Sequence, residues 1–305
     1  MKIVTYTKIS RFFAFPFVVN LFLCFASLNA QEILLQNTKD YKSYYYEVYQ
    51  ADRLFNQGNY SEALLRYKAA SQMVNFVETP ILKKFLEAAK KANDQSLEKE
   101  YESLIEIQKN TPAEYAHLGP TLDELIAEDQ KVRKKKQKLV NYYWKNKDNK
   151  SVMNSSKFQK AKKAEEEWRR TDSLNIQILL SMFEEHGFLD ESKIGYDRYY
   201  NIVFPLLFHF DKDTNNLVLQ PILDEALEKG QINPYSYAII LDRHLNSCQL
   251  PQKYYAWPIL SSDPQLSEEE IDQINKLRED LGLFRDEIVI TETKGHWIVS
   301  YKPKE

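Results

Sequence analysis

The sequence predicts a mainly α protein. A helical-hairpin, repeat-like N-terminal part precedes an α-helical C-terminal domain, and a small β-hairpin ends the chain. Two observations carry this. Only 7 glycines and 11 prolines occur in 305 residues, so few positions interrupt regular structure. After Lys39 apolar residues recur at three- and four-residue spacing, and strand-like alternation is confined to the tail.

Residues 1–30 read as an export signal rather than as part of the fold. Lys2, Lys8 and Arg11 form a positive n-region, Phe12 to Leu28 is almost wholly apolar, and Ala30 closes a short c-region. A membrane-spanning helix needs about 20 apolar residues. This run is shorter and contains Pro16 and Asn20, which favours cleavage. Lipidation at Cys24 would need a small residue where Leu23 stands. Removing the segment leaves 275 residues and takes the formal charge from −3 to −6. An acidic, exported chain, periplasmic or secreted, argues against nucleic acid as a partner. No later apolar run is long enough to span a membrane. Cys248 is then the lone cysteine. His244 lies four residues before it, but no third group or oxyanion device accompanies the pair, so an inert thiol is favoured.

The elements come in order along the chain. Residues 44–75 read as a helical hairpin, with Gly58-Asn59 as its turn and small residues Ala51, Ala63 and Ala70 where two helices approach. With Tyr60 and Tyr67, this spacing resembles a tetratricopeptide repeat. Residues 80–93 and 95–109 read as a second, degenerate pair, broken at Asn93-Asp94. One repeat cannot bury its own face. The region 31–110 is thus either a packing platform for the C-terminal domain or a surface for a protein or peptide partner at 44–109. Thr111-Pro112 and Gly119-Pro120 mark the expected boundary.

The helical domain is expected over 120–283. A long helix should run from about Leu122 to Trp144, with Lys131, Arg133 to Lys136 and Lys138 as a solvated basic face. A second long helix should span 157–185 and stop at Gly187. Shorter helices are expected at 198–210, 215–229, 234–249 and 267–281, with Pro205 kinking the first or marking its start. In the tail, 284–305, two alternating runs flank Thr293-Lys294-Gly295 and read as the β-hairpin.

Several of these helices carry polar residues on apolar stripes. With Leu122 as origin and 100° per residue, Leu125, Ile126, Val132 and Val140 lie within about 80°, as do Asp129 and Arg133 at about −20° and +20°. These two are four apart and can pair. With Trp168 as origin, Asp172 and Asn175 lie among Leu179, Met182 and Phe183. Asp242 sits amid Tyr235, Ala238, Ile239 and Leu245, and Arg243 lies toward the edge of that face. His209 borders a stripe of Tyr199, Ile202, Val203, Leu206 and Phe210. Gln252 and Tyr254 come after Leu250-Pro251 in a loop.

Burying charge is costly unless it is paired. The set is therefore either a structural network or a polar pocket. In the pocket reading Asp129, Asp172, His209 and Asp242 are the candidate acids and bases, and Arg133, Asn175, Arg243, Gln252 and Tyr254 the candidate ligand contacts. No metal box, phosphate-binding glycine loop, nucleophile elbow or HExxH helix is present, and no cofactor is expected.

The same positions carry a family resemblance. Residues 122–283 resemble a bacterial domain family catalogued as domain of unknown function 6624. Asp129-Gln130 and Arg133 match its opening signature, and Asp172, Asn175, Gly187 and Gly195 its middle section. His209-Phe210-Asp211 matches its His-x-Asp, and Asp242-Arg243 its Asp-Arg. Gln252-Lys253-Tyr254 begins its Gln-x-Tyr-Gly-(Thr or Ser)-Gln stretch, which departs here into Tyr255, Ala256 and Trp257. The resemblance implies no known reaction.

Two functions fit these residues. One is a protein-binding or scaffold module of the cell envelope. The other is a pocket enzyme or small-ligand binder of hydrolytic or proton-transfer type, built on the His/Asp cluster. Convergence of Asp129, His209, Asp242 and Gln252 on one open cavity would favour the second. An open groove on 44–109 would favour the first.

Overall fold

A computed structural model of the chain describes residues 41–210, 219–248, 250–257, 266–283, 286–293 and 296–303. The expected export segment, Asp211, the expected helix start at 215–218, Gln249 and the turn residues Lys294 and Gly295 lie outside the described residues.

The described residues are mainly helical. Helix α1 covers 41–56, followed by α2 (Tyr60–Ser71), α3 (Thr79–Ala92) and α4 (Gln95–Asn110). Gly58 turns α1 into α2 with φ 83, a conformation that needs no Cβ. Asn93 ends α3 in the left-handed region, and Asp94 caps α4 by accepting from the Ser96 and Leu97 amides. Ala51, Ala63 and Ala70 are fully buried, so the helices can approach closely. Tyr67, Phe85 and Tyr101 stack in series through the four-helix layer.

The second layer rests on α5 (Gly119–Asn146) and α6 (Ser156–His186). They run antiparallel, because contacts pair early α5 with late α6: Leu125 with Asn175, Arg133 with Asp172, Lys136 with Glu167, Tyr143 with Phe158. Gly119-Pro120 forms the first turn of α5, where proline's missing N–H costs nothing. A Cβ at Gly119 would lie 2.5 Å from the Arg198 guanidinium carbon, the far end of a flexible side chain that would have to shift.

The helix expected over 198–210 is present but changes pitch three times between Tyr196 and Phe210. Helices α7 (Glu191–Ile194) and α8 (Tyr196–Arg198) lead into a π-helical turn, Tyr199–Val203. Then come α9 (Phe204–Leu207) and a 3₁₀ turn, Phe208–Phe210. Pro205 explains the change of pitch. It has no N–H to donate, and its ring crowds the carbonyl four residues back, so the preceding turn widens. Helices α10 (Leu219–Glu228), α11 (Pro234–Ser247) and α12 (Glu268–Leu281) complete the layer. A capping box between Ser267 and Glu270 starts α12.

One apolar core joins both layers, running from Tyr41 of α1 to Leu283 after α12. Gly230 faces Tyr41, and Gly282 faces the Lys42 backbone, so α1 lies against the C-terminal helices. Among the described residues no helix is long and apolar enough to cross a membrane.

Candidate functional site

The site is assembled from three elements. Asp129 and Arg133 sit one turn apart on α5, and their side chains meet as the four-residue spacing requires. Arg133 Nε donates to both Asp129 oxygens at 2.9 and 2.8 Å. Its Nη2 reaches across to α6 and donates to Asp172 Oδ1 at 2.7 Å. The guanidinium also lies over the Trp168 ring, 4.4 Å from its centroid. Gln130 donates to the second Asp129 oxygen at 3.0 Å.

His209 arrives from the 3₁₀ turn after α9. Its Nδ1 is 3.2 Å from Asp129 Oδ1 and 3.9 Å from Asp172 Oδ1. Nδ1 is itself buried, and neither contact has the geometry of a hydrogen bond. The contact is electrostatic, because an oxygen 3.2 Å away dominates the local field even off-axis. Asp129 is only 1 % exposed. Burial pushes its carboxyl up, but His209 and Arg133 outweigh this and hold it below the ordinary value.

Arg243, from α11, holds the turn that carries His209. Its Nε donates to the Phe208 carbonyl at 2.9 Å, and its guanidinium lies over the Phe208 and Trp257 rings. Arg133, Asp172, His209 and Arg243 face a cleft of about 210 Å³, walled by Trp144, Trp168, Glu165 and Arg169. Glu165 is buried and pairs with Arg169 one turn on.

Five of the nine residues singled out from the sequence thus converge: Asp129, Arg133, Asp172, His209 and Arg243. Four lie elsewhere. Asn175 donates to the Leu125 carbonyl at 3.4 Å and ties α6 to α5. Asp242 is 0 % exposed and accepts from the backbone amides of Lys253, Tyr254 and Ala256 at 2.7, 3.0 and 2.7 Å. Burial pushes its carboxyl up, and those amides and Arg278 pull it back. It therefore pins the 252–256 loop. Gln252 accepts from the Trp257 amide at 3.3 Å, and Tyr254 is buried against Tyr237. That loop does not line the cleft and touches it through Trp257, whose ring lies under Arg243.

Sequence reasoning missed Trp144, Glu165 and Arg169. A signal existed for Glu165, which lies about 60° from Trp168 on the helical wheel, inside the apolar face.

Asp129, Asp172 and His209 offer ligand atoms within 4.8 Å of one another, a set that could hold a metal ion. Arg133 already bonds both carboxylates. A divalent cation would have to share them with a guanidinium, and two like charges at that range repel strongly. The donor set therefore fits an organic cation, which it already holds, better than a metal.

No protein-family model matches the chain, and no curated protein and no solved structure shows significant similarity to it.

Proposed function

We propose that the cleft between α5, α6 and the His209 turn is a small-ligand site of hydrolytic or proton-transfer type, with His209 as the acid or base. The supporting observation is the convergence on one cleft of His209, held at Nδ1 by buried Asp129, and Asp172, bridged by Arg133. Imidazole is the side chain suited by its chemistry to proton transfer near neutral pH. With Nδ1 turned to Asp129, Nε2 is the nitrogen left for a ligand.

Charge limits the ligand class. Arg133, Arg169 and Arg243 balance Glu165, Asp172 and the Asp129 carboxylate behind them. A balanced site gives a polyanion no net attraction. The volume is below the roughly 300 Å³ usual for drug-sized ligands, so the occupant is small or inserts one group. The test is a small-molecule thermal-shift screen, followed through Trp144 and Trp168 fluorescence. His209→Ala should stay near wild-type stability and lose the ligand response. Strong destabilisation with no wild-type ligand would leave a structural network.

In this reading the N-terminal hairpins are a platform, supported by their shared core with the C-terminal helices. The alternative, a protein or peptide partner at 44–109, is favoured by one observation. Leu104 and Ile107 are exposed on α4. The tetratricopeptide-like character and export by residues 1–30 belong to this proposal. So does the tail hairpin, supported by an antiparallel register that runs from Asp286 opposite Pro303 to Thr293 opposite His296. The likeness to the domain of unknown function also belongs here, supported by one backbone angle. Tyr255, where that family's stretch has glycine, has φ 53, the left-handed region glycine adopts freely.

A further inference from the structure

The joint between the hairpins and the C-terminal domain holds a second set of buried carboxylates, and among the described residues no guanidinium bridges them as Arg133 does at the cleft. Glu78, at the start of α3, and Glu191, on α7, lie 113 positions apart and are both buried. Glu191 accepts from the Thr79 amide at 3.0 Å and from the Thr79 hydroxyl. Glu78 accepts from Tyr45 of α1 at 3.2 Å, Tyr200 of the π turn at 3.4 Å and Asn233 before α11 at 3.4 Å. Donors from both layers thus converge on one carboxylate.

The donors holding Glu78 are neutral hydroxyls and an amide. Asp190 adds a further negative charge beside Glu191, and Lys83 is the cation that acts on it. Tyr44, Tyr49 and Tyr199 face the same field. Tyr44 and Tyr199 are 2 % and 0 % exposed, and their hydroxyls have no hydrogen-bond partner. Two ionised carboxylates in such a place would repel through a medium that screens them poorly.

We propose that this joint is a proton-operated clamp. A proton on the Glu78–Glu191 pair keeps α1 and α3 closed on the C-terminal helices, and its loss loosens them. Burial, then the charge of Glu191, pushes the Glu78 carboxyl up to about 7. The closed form therefore binds the extra proton. By linkage its advantage is full below the ordinary carboxylate range and is lost as pH rises through about 7.

The experiment is hydrogen–deuterium exchange of the full chain from about pH 5.5 to 8.5, corrected for intrinsic exchange. Peptides covering 77–85 and 188–200 should open about thirtyfold more at the upper end than at the lower. Glu78→Gln, an uncharged isostere, should remove that slope, and Glu191→Gln serves if the first variant does not fold. Tyr200→Phe removes a donor that favours the ionised form, so the midpoint should move to higher pH. The clamp is overturned by pH-independent opening in the wild type, by a wild-type slope in the glutamine variant, or by a midpoint that Tyr200→Phe leaves in place or lowers.

Discussion

Two buried carboxylate clusters sit in one molecule and solve the burial problem in opposite ways. At the cleft, Asp129 and Asp172 share a guanidinium and an imidazole. At the joint, Glu78 and Glu191 are each held by neutral donors of their own. The first keeps its charge and opens to a cleft. The second is sealed and is eased by a proton. Their pH signs are therefore opposed. Asp129, held below its ordinary value, adds stability above that value that is lost in acid. Glu78, held above its own, adds stability below that value that is lost as pH rises through about 7.

Breaking the compensated cluster should have the largest effect. Arg133→Ala strands Asp129 and Asp172 as buried negative charges and should cost about 3–5 kcal/mol in urea unfolding at pH 7. Wild-type stability would mean that the carboxylates find water or protons instead. Asp242→Asn comes next. An amide offers one acceptor oxygen where the carboxylate accepts from three backbone amides, so about 2 kcal/mol should be lost. A fluorescence response to ligand at the cleft should survive it, because Asp242 does not line the cleft. Glu78→Gln sharpens the comparison from the other side. It should be more stable than wild type by about 2 kcal/mol at pH 8.5 and nearly equal at pH 5.5, measured by denaturant titration. The smallest effect is expected at Tyr255. Replacement by glycine relieves a left-handed backbone and should raise stability by about 1 kcal/mol, seen as a small upward shift in Tm.

The cleft was partly legible in the sequence because its first half is local. Asp129 and Arg133 lie on one helix, and a four-residue spacing fixes their meeting before any tertiary contact forms. Asp172 was legible as a polar residue on an apolar face, but its partner was not. His209 and Arg243 stood at stripe edges, and the kink at Pro205 was expected. The pieces it produced, which swing the His209 turn onto α5, were not. Asp242 misleads on a helical wheel for a physical reason. A carboxylate that accepts backbone amides from a loop has the same inward position as one that faces a ligand. Glu78 and Glu191 gave no periodic signal at all, since one precedes a helix and the other starts a four-residue one.

By itself the sequence determined the mainly helical build, because apolar periodicity, scarce glycine and capping residues act within a turn or two. It also determined the Asp129–Arg133 pair. Tertiary structure alone decided that this pair faces Asp172 and His209 across a cleft, that Asp242 serves a loop, and that two glutamates more than a hundred residues apart meet without a shared cation. The reason is common to all three. Electrostatic environment depends on what is near in space, and periodicity along one helix reports only which way a residue faces.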